Sequence, residues 1–181
     1  MTQIRTSSKD RILSAAADVA REAGAGNLSL EAVAARAGVS KGGLLYNFPT
    51  KAALMRALVE SFLTRFETEL DAATQGPGAR DGLLEAYIKL SAIECDETRP
   101  GAAGVLAAIA EDPDFLKPIA AFKRRLLDRL KDDTPDVETL LLVYLALEGM
   151  RSMKLFDSDV LTHEEREQAI TAMLKRVTQT C

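Results

Sequence analysis

Apolar residues recur at helical spacing along almost the whole chain, and no stretch alternates apolar and polar residues with period two over a useful length. The pattern predicts an all-α protein. A first helix spans about residues 8–23, with Ile12, Ala16, Val19, Ala20 and Ala23 as its apolar stripe. Ser7 and Asp10 have capping-box spacing at its head, with Asp in the place of Glu, and Gly24 and Gly26 end it. A second helix starts at Ser29, which can cap it; Glu31 suits the positive first turn, and Leu28 can staple onto Val33. It stops at Gly38. A third runs from Ser40 to Phe48 and is stopped by Pro49. Thr50 caps a longer fourth helix, with Leu54, Leu58, Phe62, Phe66 and Leu70 on one face.

Gln75-Gly76-Pro77-Gly78 is a clear break. Beyond it the pattern predicts helices at about 80–97, 101–111, 114–131, 135–156 and 162–179. Thr134-Pro135 reads as a cap followed by proline at the first helical position, and Thr162 with Glu165 as a capping box. There is no internal repeat and no low-complexity segment.

The third helix poses a problem. It is barely two turns long, yet Gly42 and Gly43 stand at its head beside Lys41. Glycine inside a helix costs up to about 1 kcal/mol relative to alanine. The preceding Ala37-Gly38-Val39-Ser40 joins two short helices by a glycine-containing turn, which is the helix-turn-helix signal, with the third helix in the recognition position. Leu44, Leu45 and Phe48 are spaced to pack back on the first two helices, so Lys41, Gly42, Gly43, Tyr46 and Asn47 look outward. In this motif the head of the second helix approaches base edges in the major groove. Glycine allows that approach, and the helix start offers N–H groups to an anion. Lys41 and Lys51 each put a cation in a first turn, against the helix dipole, which makes sense where phosphates dock. Tyr46 and Asn47 add hydrogen-bonding groups for phosphates or base edges. The plainer alternative is a Gly-Gly loop with the helix starting at Leu44 and two ordinary solvated lysines.

Charge favours the first reading slightly. Residues 1–51 hold seven basic groups (Arg5, Lys9, Arg11, Arg21, Arg36, Lys41, Lys51) against four acids (Asp10, Asp18, Glu22, Glu31). The remaining residues hold 16 basic and 23 acidic groups, so a basic head sits on an acidic body. With 181 residues, 47% hydrophobic and 28% charged, the chain has enough apolar material for one or two small cores. No apolar run is long enough to span a bilayer, and the first residues lack the apolar core of a signal peptide, which places the protein in the cytoplasm as an expectation. Cys95 and Cys181 form no spacing motif.

The segment Ser29–Lys51, SLEAVAARAGVSKGGLLYNFPTK, resembles the N-terminal DNA-binding domain of the tetracycline-repressor (TetR) family. The shared features are the AGVSKGG turn, an aromatic cluster, and Phe-Pro, a small polar residue and Lys at the head of helix four. Asn47 stands where relatives often carry His or Tyr. The resemblance implies a homodimeric transcription factor, usually a repressor, with a DNA-binding domain at residues 1–50 and a helical-bundle domain at 51–181. By that resemblance Ser29, Ser40, Lys41, Gly42, Gly43, Tyr46, Asn47 and Lys51 meet a double-stranded DNA operator. The second domain binds a small effector, which moves helix four and releases a palindromic operator, and it dimerises mostly through the last two helices.

Residues 140–147, LLLVYLAL, are apolar around the whole helix, so one side of it suits a second subunit. Leu141 and Leu145, with Ile170, Met173, Leu174 and Val177 of the last helix, are the expected dimer contacts. Phe62, Phe66, Tyr87, Ser91, Cys95, Phe122, Tyr144, Glu148 and Met150 are candidates to line an effector pocket between helices, although each alone also reads as core. Glu148 either meets a cationic effector or, as the residues favour, pairs with Arg151 or with a basic residue of 123–129.

Other chemistry is sparse. The single histidine, His163, sits beside Glu164 and Glu165 at a helix start, without a nucleophile, metal cluster or phosphate loop, so no enzyme, cofactor or metal is expected. Cys95 lies among acids that disfavour its thiolate. The short acidic loop clusters lack calcium-loop spacing, and Lys123-Arg124-Arg125 reads as a solvated face. The competing class is a helical ligand-binding or scaffold protein without DNA activity.

Overall fold

The computed structural model describes residues 7–23, 28–75, 82–96, 112, 114–156 and 158–178. Among these residues every regular element is an α-helix: α1 (Ser8–Ala23), α2 (Leu30–Ala37), α3 (Lys41–Asn47), α4 (Lys51–Gln75), α5 (Leu83–Asp96), α6 (Lys117–Asp133), α7 (Val137–Leu155) and α8 (His163–Thr178). The helix expected at 101–111 lies outside the described residues.

Local chemistry sets the helix starts. Ser7 and Asp10 form a reciprocal box: the Ser7 hydroxyl donates to Asp10 Oδ2 at 2.7 Å and accepts the Asp10 N–H at 3.1 Å. Ser29 Oγ takes the Ala32 N–H, Ser40 Oγ the Gly43 N–H and Thr50 Oγ1 the Ala53 N–H, each at 3.0 Å. Thr162 and Glu165 exchange the two bonds of a capping box.

Two starts differ from the sequence reading. Asp136, not Thr134, caps α7: its carboxylate accepts the Thr139 N–H, and the helix begins at Val137, past Pro135. The Thr134 N–H still bonds back to Leu130 and so closes α6. At 114–116 the chain forms turns rather than helix, because Asp112 takes the Asp114 N–H on its side chain and the Phe115 N–H on its carbonyl.

The described residues pack as two compact units. One holds 7–23, 28–62, 112 and 114–119; the other holds 63–75, 82–96, 120–156 and 158–178. In the first, Ile12, Ala16, Val19 and Ala20 of α1 meet Val33, Ala34 and Ala37 of α2, Leu44 of α3, and Leu54, Met55 and Leu58 of α4. Leu28 and Val33 are both buried there, as the staple requires. Phe115, 60 residues beyond Met55 in sequence, belongs to the same core and is 1% exposed. In the second unit, Phe66 and Leu70 of α4 join Leu84, Tyr87 and Ile88 of α5, Phe122, Leu126 and Leu130 of α6, and Leu140, Val143, Tyr144 and Leu147 of α7. The stripe on α4 is therefore shared, with Leu54, Leu58 and Phe62 serving one core and Phe66 and Leu70 the other.

Candidate nucleic-acid interface and polar core

The α2–turn–α3 corner is built by one glycine and two serines. Gly38 ends α2 at φ 65° and ψ 38°, a left-handed conformation that a Cβ would oppose. The N–H groups of Gly38 and Val39 bond back to Ala35 and Ala34, which turns the chain sharply into α3. Ser40 caps that helix, and its carbonyl accepts the Leu44 N–H. Leu44 and Phe48 are buried in the first core, while Leu45 is half-buried. These anchors fix which face of α3 looks out.

On that outer face Lys41 and Gly42 are exposed, Gly43 and Asn47 are half-buried, and Tyr46 is 90% exposed. Tyr46 therefore presents both its ring and its hydroxyl to solvent. Asn47 is partly committed: its Nδ2 donates to the Gly43 carbonyl at 2.8 Å. Ser29 and Ser40 are exposed, with their oxygens already engaged as caps. Lys51 opens α4 and is half-buried.

The two glycines of α3 differ. A Cβ on Gly43 would press on Ser40 Oγ at 3.3 Å, against the cap itself. One on Gly42 would approach nothing nearer than that oxygen at 4.0 Å. Neither has a positive φ. The fold therefore gives Gly43 a partial reason and Gly42 none.

Among the ion pairs of this unit, two bear on the site and carry no signal in the sequence pattern. Lys41 Nζ meets Glu31 Oε1 at 2.6 Å across the turn, which offsets the cation at the head of α3. Arg56 of α4 pairs with Asp112, and its guanidinium holds that carboxyl below its ordinary value against the effect of burial. No sequence spacing announces a pair 56 residues apart.

The second unit contains a polar cluster inside an aromatic core. Arg151 donates to Tyr87 Oη at 3.0 Å, to Ser91 Oγ at 2.6 Å and to Glu148 Oε1 at 2.7 Å. Its guanidinium carbon stands 5.6 Å from the Phe66 ring centre and 5.4 Å from that of Tyr87. Phe66 meets Tyr87 and Phe122 edge-on, and Tyr87 stacks on Tyr144 with centroids 6.0 Å apart. Glu148 pairs with both Lys123 and Arg151, the bonding that the sequence favoured. Burial pushes its carboxyl up, but the hydrogen bond from Lys123 and the charge of Arg151 outweigh this and leave it below the ordinary value. Burial pushes the Tyr87 phenol up to about 12.

Six of the pocket candidates thus meet in one place: Phe66, Tyr87, Ser91, Phe122, Tyr144 and Glu148. Met150 is buried in the same core. Phe62 packs in the first unit instead, and Cys95 lies outside the residues whose side chains are described. Of the dimer candidates, Met173 is buried within its own unit, while Leu141, Ile170, Leu174 and Val177 are half-buried beside it. Leu145 is 65% exposed, and so is its neighbour Leu142 at 62%, which the sequence reading had not separated from the rest of the apolar run. Leu142, Leu145, Ala146 and Gly149 all stand exposed at helical spacing on α7. A Cβ on Gly149 would meet nothing within 4 Å.

His163 is exposed at the start of α8, 3.5 Å from Glu167. Among the described residues no group of three or more His, Cys, Asp or Glu side chains could hold a metal ion. No described helix is long and apolar enough to cross a membrane.

Comparison with known proteins agrees with this geometry. Residues 12–58 match the model of bacterial regulatory proteins of the tetR family, and residues 81–178 match a tetracyclin repressor-like C-terminal domain. No curated protein matches the sequence. Among solved structures, a transcriptional regulator from Rhodococcus sp. Rha1 is similar at 23% identity, with 96% of this chain and 97% of that chain covered and a TM-score of 0.69. The multidrug binding protein EbrR, complexed with imidazole, is similar at 23% identity over 95% of this chain and 96% of that one, with a TM-score of 0.59. A TetR/AcrR-type transcriptional regulator from Aquifex aeolicus VF5 follows at 17% identity, 97% and 100% coverage and a TM-score of 0.57. At these identities the structures support the fold.

Proposed function

Because this chain belongs to the tetracycline-repressor (TetR) family of bacterial regulatory proteins, we propose that it is a homodimeric transcriptional repressor, released from a palindromic operator by a small-molecule effector. One observation carries the DNA-binding part. Leu44 and Phe48 pin a two-turn helix to the first core while Lys41, Gly42 and Tyr46 are presented to solvent. Ser29, Ser40, Gly43, Asn47 and Lys51 flank that face.

Gly42 supplies the test. Its helical conformation and open surroundings suit alanine, so Gly42→Ala is expected to stabilise the protein by up to about 1 kcal/mol. The same methyl group obstructs close approach to a base edge, so operator affinity is expected to fall. Thermal unfolding and anisotropy titration of duplex DNA at several salt concentrations read the two effects separately. A variant that is more stable and binds DNA as well as the parent excludes Gly42 from the contact. A parent chain without salt-dependent duplex binding returns the protein to the class of ligand-binding or scaffold modules.

A second copy of the chain is the proposed cover for the exposed stripe of α7. Leu142 and Leu145 supply apolar area, Ala146 and Gly149 permit close helix approach, and Ile170, Leu174 and Val177 of α8 extend the surface. Leu145→Lys is expected to shift sedimentation from dimer to the 19.6 kDa chain without loss of helicity. A monomeric parent at micromolar concentration overturns the interface.

The effector site is proposed at the Arg151–Glu148 cluster, where charged groups lie against aromatic faces. The chain acts in the cytoplasm, where its operator lies. Neither a cofactor nor a catalytic step enters this reading.

A further inference from the structure

The Glu31–Lys41 pair lies on the surface assigned above to DNA. Lys41 Nζ and Glu31 Oε1 are 2.6 Å apart, and both side chains are more than half exposed. Ser29 and Ser40, the caps of the two helices, and the left-handed Gly38 between them hold the pair's two backbones in place.

Glu31 suits the positive first turn of α2 and its charge offsets Lys41 at the head of α3, but these local gains are small. An exposed ion pair adds only about 0–1 kcal/mol of stability. Meanwhile a carboxylate on a surface that meets a polyanion repels it, and one that holds a lysine also withdraws that lysine from phosphates. Glu31 thus opposes DNA binding twice. Such an opposing group acquires a use when binding must be selective: its penalty applies to every duplex, and only a sequence that offers Lys41 a better-placed acceptor compensates for it.

We propose that Glu31 is a specificity-determining residue that masks Lys41 and suppresses binding to non-operator DNA. This inference rests on the DNA-binding reading and adds a selectivity device to it. The masking is electrostatic and local, since the charges cancel at distances beyond the pair and Lys41 is freed only when the pair opens.

The test is a double-mutant cycle on the full chain with a mixed-sequence duplex as probe, titrated at several salt concentrations. The four proteins are the parent, Glu31→Gln, Lys41→Ala and the double variant. Glu31→Gln is expected to raise mixed-sequence affinity by up to about fivefold per head, with a salt slope steeper by about one unit per freed lysine. In the Lys41→Ala background the same substitution is expected to gain much less. Equal gains in both backgrounds mean general repulsion and overturn the masking. Unchanged affinity and slope in Glu31→Gln, with a parent that does bind duplex, overturn it too. A parent that binds no duplex at low salt overturns the DNA-binding reading itself, and the inference falls with it.

Discussion

Phe115→Ala is expected to cost the first unit about 3–5 kcal/mol and to remove duplex binding with it. Phe115 lies far along the chain from the helices that form this core, yet its side chain is 1% exposed among Ile12, Leu28, Leu44, Leu54, Met55 and Leu58. Deleting the ring leaves a cavity in a core whose helices are already tied by caps and by the turn at Gly38. They collapse poorly onto such a space, so the cavity adds to the lost transfer energy. Chemical denaturation of the parent, Phe115→Ala and Phe115→Leu measures this, with Leu116→Ala as a neighbour exposed to solvent. Phe115→Leu is expected to retain most of the stability. A Phe115→Ala variant within about 0.5 kcal/mol of the parent contradicts the placement of the ring in the core.

The second large effect is expected at Arg151. Replacing it with leucine leaves Glu148 short of one of two cationic partners and leaves Tyr87 and Ser91 without their donor. Breaking a buried pair from one side costs about 3–5 kcal/mol, whereas replacing both partners with apolar groups is often nearly neutral. Arg151→Leu is therefore expected to cost about 3 kcal/mol, the lower end, because Lys123 still serves Glu148. The double variant Arg151→Leu/Glu148→Leu is expected to recover most of the loss.

Proton linkage gives an independent sign. A carboxyl held below its ordinary value contributes stability that is present above its unfolded pKa and is lost as pH falls through the folded one. The Glu148 carboxyl is lowered, so the gap between parent and Arg151→Leu is expected to narrow as the solution is acidified below the ordinary carboxylate value. A gap that is constant across this range assigns the cost to packing instead.

The local elements were legible in the sequence because their determinants are local. Ser29, Ser40 and Thr50 cap the helices that follow them, and Gly38 turns the chain where its spacing said it would. The spacing of Leu44 and Phe48 marked Lys41, Gly42 and Tyr46 of α3 as outward, whereas Gly43 and Asn47, read as outward too, are half-buried, with Asn47 Nδ2 bonded to the Gly43 carbonyl. What the sequence hid depends on partners far along the chain. Phe115 reads as one more apolar residue near a helix start, and nothing near it says which core it enters. The apolar run 140–147 reads as uniform, yet Leu140, Val143, Tyr144 and Leu147 face inward and Leu142 and Leu145 outward. Only the packing of α7 against α5 and α8 divides them. Asp136 displaced Thr134 as the α7 cap because its carboxylate accepts the Thr139 N–H, and two capping residues on either side of Pro135 do not show in sequence which of them acts.

Selection of genomic DNA fragments on the purified chain tests the central claim most directly, with the stoichiometry of the winning complex measured alongside. The account predicts an enriched palindrome whose half-sites lie about one helical turn, or a multiple of it, apart, bound by paired chains. A chain that enriches no fragment, or that binds a single unpaired half-site as a monomer, contradicts it.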